Sequence, residues 1–121
     1  MATGKPLTPR RGDVFLVAFD PALGAEIQKT RPALVLQNDI GNQRSPLTIV
    51  AAITSNVVRL GPTGVLVTPP EGGLTVESVI LLNQVRTVDR RRLGKRLGAL
   101  RAVTMGQVDR ALMISLGLID L

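Results

Sequence analysis

The chain has no cysteine, no histidine, no tryptophan and no tyrosine, and each absence closes a class of chemistry. Without cysteine there can be no disulfide, no zinc thiolate and no thiol nucleophile. Without histidine the commonest general base and the commonest metal ligand are gone, and a Ser-His-Asp triad cannot be assembled. Acids are thinly spread: Asp13 and Asp20 stand at opposite ends of one apolar run, and no two acids lie closer in sequence than Glu71 and Glu77. Metal-dependent hydrolysis needs several clustered carboxylates or histidines, so no metal and no cofactor is expected. Long apolar runs are missing too. None approaches membrane-spanning length and neither end carries a targeting signal, which makes the cytoplasm the expected compartment.

What is present describes one domain of ordinary size. The 121 residues are 45% apolar and 20% charged, enough to bury a core. Phe15 and Phe19 are the only aromatic residues, so that core is built from branched aliphatics, which suit strands. A flexible N-terminal segment is expected over residues 1–10 and a single domain over 11–121. The net charge of +6 is concentrated. Arg86, Arg90, Arg91, Arg92, Lys95, Arg96 and Arg101 are opposed in their segment by Asp89 alone, and the rest of the chain is balanced. Such a cluster suits a polyanionic partner, nucleic acid or acidic protein. The competing reading is a solvated loop and sheet edge.

The apolar pattern predicts strands over about 13–19, 32–37, 47–53, 65–68 and 78–82, an extended piece at 86–88 and a short last strand at 97–100. The run from Leu47 to Ile53 is continuously apolar apart from Thr48, which predicts burial on both faces. Residues 38–46 read as a connection. One helix is predicted from about Thr104, with Thr104 and Gln107 in the form of a capping box. Met105, Val108, Leu112 and Leu116 would share a face, and Gly117 would stop the helix. Several short strands and a terminal helix describe a mainly β fold, a small twisted sheet or partly open barrel.

Two strand-like segments bracket a polar loop carrying Glu26 and Arg31, charges that a core does not need. Arginine's planar fork binds two phosphate oxygens at once, and its permanent charge makes it a stabiliser rather than a base. Thr54, after the run Ile49 to Ile53, can offer a hydroxyl at a strand end. RNA carries its own nucleophile, the 2′-hydroxyl, so a site with neither metal nor protein nucleophile can still cleave it. The plainer alternatives are an Arg31–Glu26 ion pair at a strand end and a threonine filling a strand.

The order of motifs narrows the choice. Arg11-Gly12-Asp13-Val14, Asp20-Pro21, Gly24-Ala25-Glu26 and Arg31-Pro32 are followed by Asn38-Asp39-Ile40-Gly41-Asn42, Ala51-Ala52-Ile53-Thr54-Ser55, Gln84-Val85-Arg86-Thr87-Val88-Asp89 and Ile114-Ser115-Leu116. Together they resemble, over nearly the whole chain, the MazF/PemK/Kid family of bacterial toxin–antitoxin systems. The resemblance implies a compact SH3-like barrel of the MazF/CcdB type. It also implies a metal-independent, sequence-selective endoribonuclease toxin leaving 2′,3′-cyclic phosphate and 5′-hydroxyl ends on single-stranded RNA. The implied partners are a second copy of the chain and a neutralising antitoxin. Carried over residue by residue, it makes Arg31, Thr54 and Glu26 the catalytic set and implicates Phe19, Asn38, Asp39, Gln84 and Arg86 in binding RNA. Asn83 departs from relatives that carry Glu before the Gln, so the recognised RNA word does not carry over. Arg90, Arg91 and Arg92, lying beyond the Gln84–Arg86 segment, are assigned to an acidic antitoxin tail. CcdB toxins share the fold yet bind DNA gyrase, and a basic RNA-binding barrel would hold RNA without cutting it; both remain alternatives.

Overall fold

The structure, a computed structural model, describes residues 8–121, so most of the expected N-terminal segment lies outside the described residues. Arg10 is bonded to the start of the domain. Its amide donates to Asp13 Oδ2 at 2.9 Å and its carbonyl accepts from the Asp13 amide.

Six strands, β1 (Asp13–Ala18), β2 (Thr30–Val35), β3 (Leu47–Thr54), β4 (Gly64–Val67), β5 (Ser78–Asp89) and β6 (Leu93–Ala99), form one antiparallel sheet in the order β4-β5-β3-β2-β1-β6. The sheet is bent by register shifts between β1 and β6 and between β3 and β5, as bulges do. It does not close into a barrel; β4 and β6 remain edges. Two helices, α1 (Asp39–Arg44) and α2 (Ala102–Ser115), complete the fold. No helix among the described residues is long and apolar enough to cross a membrane.

Strand alternation sorts the aliphatics into two cores. Val14, Leu34, Leu36, Ala51, Ile53, Ile80 and Leu82 pack with Val108 and Ala111 of α2. On the other face Phe15, Val17, Phe19, Ala33, Val35, Val50, Ala52 and Val88 pack together, with Ile27 and Leu93 against them. The β3 run divides between the two, with Ala51 and Ile53 in one and Val50 and Ala52 in the other, as a strand buried on both faces must. Each large aliphatic buried in this way contributes about 1.5–3 kcal/mol.

Several expectations needed correction. Residues 78–82 and 86–88 are one twelve-residue strand, β5. Residues 38–46 contain α1, capped by Asn38, whose Oδ1 accepts from the Gly41 amide at 2.8 Å. α1 is moored by the wholly buried Asn42, which donates to the Gln37 carbonyl and accepts from Thr48 Oγ1 at 2.7 Å and Gln37 Nε2 at 3.0 Å. The capping box of α2 is absent, because the helix begins earlier and Arg101 is its N-cap residue. The cap comes from Glu71, in a 3-10 turn (Glu71–Gly73), whose carboxylate accepts from the Arg101 amide at 2.9 Å and the Arg101 guanidinium at 3.2 Å. Burial pushes the Glu71 carboxyl up, but bonds from the Arg101 amide, the Thr104 hydroxyl and the Arg101 side chain outweigh it and hold its pKa below the ordinary value. That turn lies against β6 so closely that a Cβ on Gly98 would sit 2.7 Å from the backbone of Gly72 and Gly73. Gly117, at φ +74°, does end α2: its amide donates to the Ile114 carbonyl and that of Leu118 to the Met113 carbonyl.

Candidate active site

The β2–β3 ladder ends at Ala33 opposite Ala52. Pro32 has no N–H to extend a ladder, and beyond it the strands part. Arg31 lies two residues before the last paired residue of β2 and Thr54 two residues after its partner on β3, so both stand just past the end of the ladder. The parted strand ends open a cleft of about 560 Å³ lined by Arg31, Thr54, Glu26, Lys29, Ser55 and Ser78 among others. Thr54 also pairs with Val79 of β5, so its side of the cleft is rigid.

The groups in this cleft are poised rather than spent. Arg31 is exposed and takes part in no ion pair or side-chain hydrogen bond among the described residues. Thr54 Oγ1 accepts from the Asn56 amide at 3.1 Å, which fixes the rotamer and leaves the hydroxyl proton free to donate outward. Glu26 is not Arg31's partner. It folds back within its own turn, its Oε1 accepting from the Leu23 amide while its own amide donates to the Leu23 carbonyl.

A second cleft of about 430 Å³ adjoins the first through the shared residues Glu26 and Ile27. It contains Phe19, Gln84 and Arg86, with Arg59, Asn83 and Ala52. Phe19 is 3% exposed and belongs to the core, so it offers a floor more than a free stacking ring. Gln84 and Arg86 are bonded to the polypeptide itself. Gln84 Oε1 accepts from the Ile27 amide at 2.9 Å, and Arg86 Nη1 donates to the Phe19 carbonyl at 2.6 Å.

The remaining expected binding residues lie elsewhere. Asn38 caps α1, and Asp39 Oδ1 accepts from the Arg11 amide at 2.7 Å. Both follow the far end of β2 from Arg31, beyond about 13 Å of strand, and neither lines a cleft. The arginine run is likewise divided. Arg90 donates to the Asn42 carbonyl, Arg91 pairs with Asp89 at 2.9 Å, and Arg92 donates to the carbonyls of Ala18 and Asp20. Hydrogen bonds from the Arg91 side chain and amide lower the Asp89 pKa to about 2. Arg96 pairs with buried Asp13 at 3.0 Å.

Arg59 is the residue that sequence reasoning missed. A 3-10 turn (Val57–Arg59), capped by the Asn56 side chain, carries it to the second cleft, exposed and without an ion pair among the described residues. The only sequence signal was Asn56 as a cap.

Comparison with known proteins identifies the family and the fold. Over 112 residues the chain is 46% identical to "Endoribonuclease EndoA" of Bacillus subtilis, covering 92% of this chain and 97% of that protein. Its fold superposes on the crystal structure of MazF from Deinococcus radiodurans with a TM-score of 0.81 at 28% identity, covering 93% and 99% of the two chains. A mycobacterial endoribonuclease in complex with its cognate antitoxin matches with a TM-score of 0.77 at 25% identity, covering 93% and 99%. Residues 10–116 match the family as a unit, and the chain belongs to the PemK-like, MazF-like toxins of type II toxin–antitoxin systems.

Proposed function

We propose that the protein is a sequence-selective endoribonuclease toxin that cleaves single-stranded RNA without a metal ion and is neutralised by a cognate antitoxin. The observation that carries this is the pair beyond the end of the β2–β3 ladder: a guanidinium in no ion pair among the described residues and a hydroxyl with a free proton, both lining a single cleft. The substrate's 2′-oxygen attacks the adjacent phosphorus and gives up its proton, and the 5′-oxygen leaves and takes one. The products are a 2′,3′-cyclic phosphate and a 5′-hydroxyl. Arg31 holds two oxygens of the pentacoordinate phosphorane through its fork. Thr54 donates to a third position, a preorganised contact of the kind that contributes about 2.7–4 kcal/mol. Glu26, between the two clefts, is the available carboxylate for proton transfer once its bond to Leu23 opens. The second cleft receives a base next to the scissile phosphate, with Gln84, Asn83 and Arg59 on its walls.

EndoA and the mycobacterial neighbour support the nuclease and antitoxin assignments. Of the arginine run, Arg91 is best placed for an acidic antitoxin segment, since its side chain is 90% exposed and can exchange Asp89 for another carboxylate. A homodimer completes the proposal. Val108, Met105 and Leu112 are used against the chain's own sheet, but Val103, Met113, Leu116 and Leu118 of the C-terminal region and Leu66 of edge strand β4 are exposed, and a second copy would cover them. Sedimentation at micromolar concentration should give twice 12.9 kDa; a particle of that single mass would refute the dimer.

Incubation with labelled single-stranded RNA in excess EDTA tests the central claim. Cleavage leaving cyclic phosphate ends is expected. Retention of varied RNAs without scission would replace the nuclease by a binding protein.

A further inference from the structure

We infer that Arg92 is a positioning residue for the catalytic loop, clasping with Arg86 the neck from which Glu26 and Arg31 are presented. This deepens the nuclease reading and rests on it. The loop of residues 19–29 leaves β1 and returns into β2, and its two limbs meet at a narrow neck. There the Phe19 amide donates to the Lys29 carbonyl and the Lys29 amide to Asp20 Oδ1, both at 2.8 Å. Lys29 itself adopts a left-handed φ of +64°, a conformation a non-glycine residue keeps only when its surroundings impose it.

The other limb of the neck is held by arginines. The β1–β6 ladder ends at Val17 opposite Leu93, so the carbonyls beyond Val17 find no strand partner on that side. Arg92, the residue before β6, supplies one: its Nη1 donates to the Ala18 carbonyl at 3.0 Å and the Asp20 carbonyl at 2.5 Å. Arg86 takes the carbonyl between them, that of Phe19, at 2.6 Å. Three consecutive carbonyls are thus held by two guanidinium groups through charge-assisted bonds, stronger than neutral ones. Two residues past Lys29 stands Arg31. A displacement of about 1 Å in a catalytic group costs on the order of a hundredfold in rate, so the clasp bears on chemistry although Arg92 lines neither cleft. Arg86 lines the second cleft and would confuse positioning with binding; Arg92 does not.

The test compares Arg92→Gln and Arg92→Lys in the full chain with the wild type. Amide hydrogen exchange should quicken at least about tenfold through residues 19–30 in Arg92→Gln while β3 and β5 stay protected. On an RNA oligonucleotide, kcat should fall about ten- to a hundredfold with KM and its salt dependence unchanged. Arg92→Lys, whose ammonium can still donate to both carbonyls, should recover part of each effect. Unchanged loop exchange would overturn the proposal, as would unchanged kcat. So would a raised KM with a flattened salt slope, which would make Arg92 an RNA contact, or loss of protection across the whole sheet in both variants. If the wild-type protein cleaves no RNA the nuclease reading fails, and hydrogen exchange still decides the clasp.

Discussion

The two ends of the sheet treat charge in opposite ways. Near the start of α2, Glu71 answers both the amide and the side chain of Arg101, and on β1 the buried Asp13 is matched by Arg96. At the ends of β2 and β3, Arg31 and Arg59 face clefts and form no ion pair among the described residues, the one carboxylate there, Glu26, being bonded to the Leu23 amide. Arg96 and Arg101 at the first end are committed to the fold. At the second, Arg31 and Arg59 are left for something that is not part of the chain, and an unpaired guanidinium beside a strand-end hydroxyl suits phosphate. Substitutions at the two ends should therefore separate activity from stability.

The largest effect is expected at Arg31. Arg31→Lys keeps the charge and loses the fork, and RNA cleavage should fall about a hundred- to a thousandfold with the urea midpoint unchanged. Thr54→Val keeps shape and strand propensity, so it should also fold while losing about a hundredfold or more in kcat. Thr54→Ser should retain much of the activity. Equal losses in Val and Ser variants would mean that Thr54 acts through packing, and the contrast between the two ends would weaken.

At the other end the sign is reversed. Gly98→Ala puts a methyl group 2.7 Å from the backbone of Gly72 and Gly73, which must move. A loss of about 1–3 kcal/mol in unfolding free energy is expected, with near-normal cleavage by the folded fraction. Urea titration beside a single-turnover assay separates the two. A variant that stays stable yet loses activity would show that this end also shapes the site.

The candidate cleft was legible from sequence where neighbours in the sheet are neighbours in pattern. Arg31 before Pro32 and Thr54 after an apolar run each marked a strand end, and antiparallel pairing of consecutive strands brings such ends together. Contacts between distant segments were not legible. Glu71 caps a helix that begins thirty residues later, and the local Thr104–Gln107 pair imitated a cap that a tertiary carboxylate provides instead. The arginine run read as a surface for partners because sequence shows charge and not the carbonyls that absorb it; Arg90 and Arg92 donate to carbonyls of Asn42, Ala18 and Asp20. α1 went unseen because six residues including a glycine give too little periodicity to register. β5 was divided because its alternation falters at exposed Asn83, where the strand passes from one core to the other.

The paired end should also show in acid. Glu71 and Asp89 have lowered pKa values in the fold, so each binds a proton less readily when folded than when unfolded. Their stabilisation is complete above the ordinary carboxylate range and is lost as pH falls, for Asp89 between 3.8 and about 2. Glu71→Gln and Asp89→Asn should therefore each flatten the acid limb of the stability curve. Stability that rises on acidification below pH 4 would contradict both assignments.

The smallest effect distinguishes the unpaired Arg59 from the paired Arg91. Each phosphate contact on a single strand contributes a salt slope of about −0.7 in log affinity against log salt. Arg59 stands in the second cleft with no partner to release, so Arg59→Gln should flatten the RNA-binding slope by about 0.7. Arg91 lies on the connection between β5 and β6 and lines neither cleft, so Arg91→Gln should leave the slope alone and weaken inhibition by an acidic antitoxin segment. Asp89 tempers that second effect, because an incoming carboxylate must displace it and gains only the small difference between two solvent-screened ion pairs. A small loss of inhibition follows from that difference. A slope flattened by Arg91→Gln and untouched by Arg59→Gln would exchange the two roles and place the RNA track along β6 instead of over the parted strand ends.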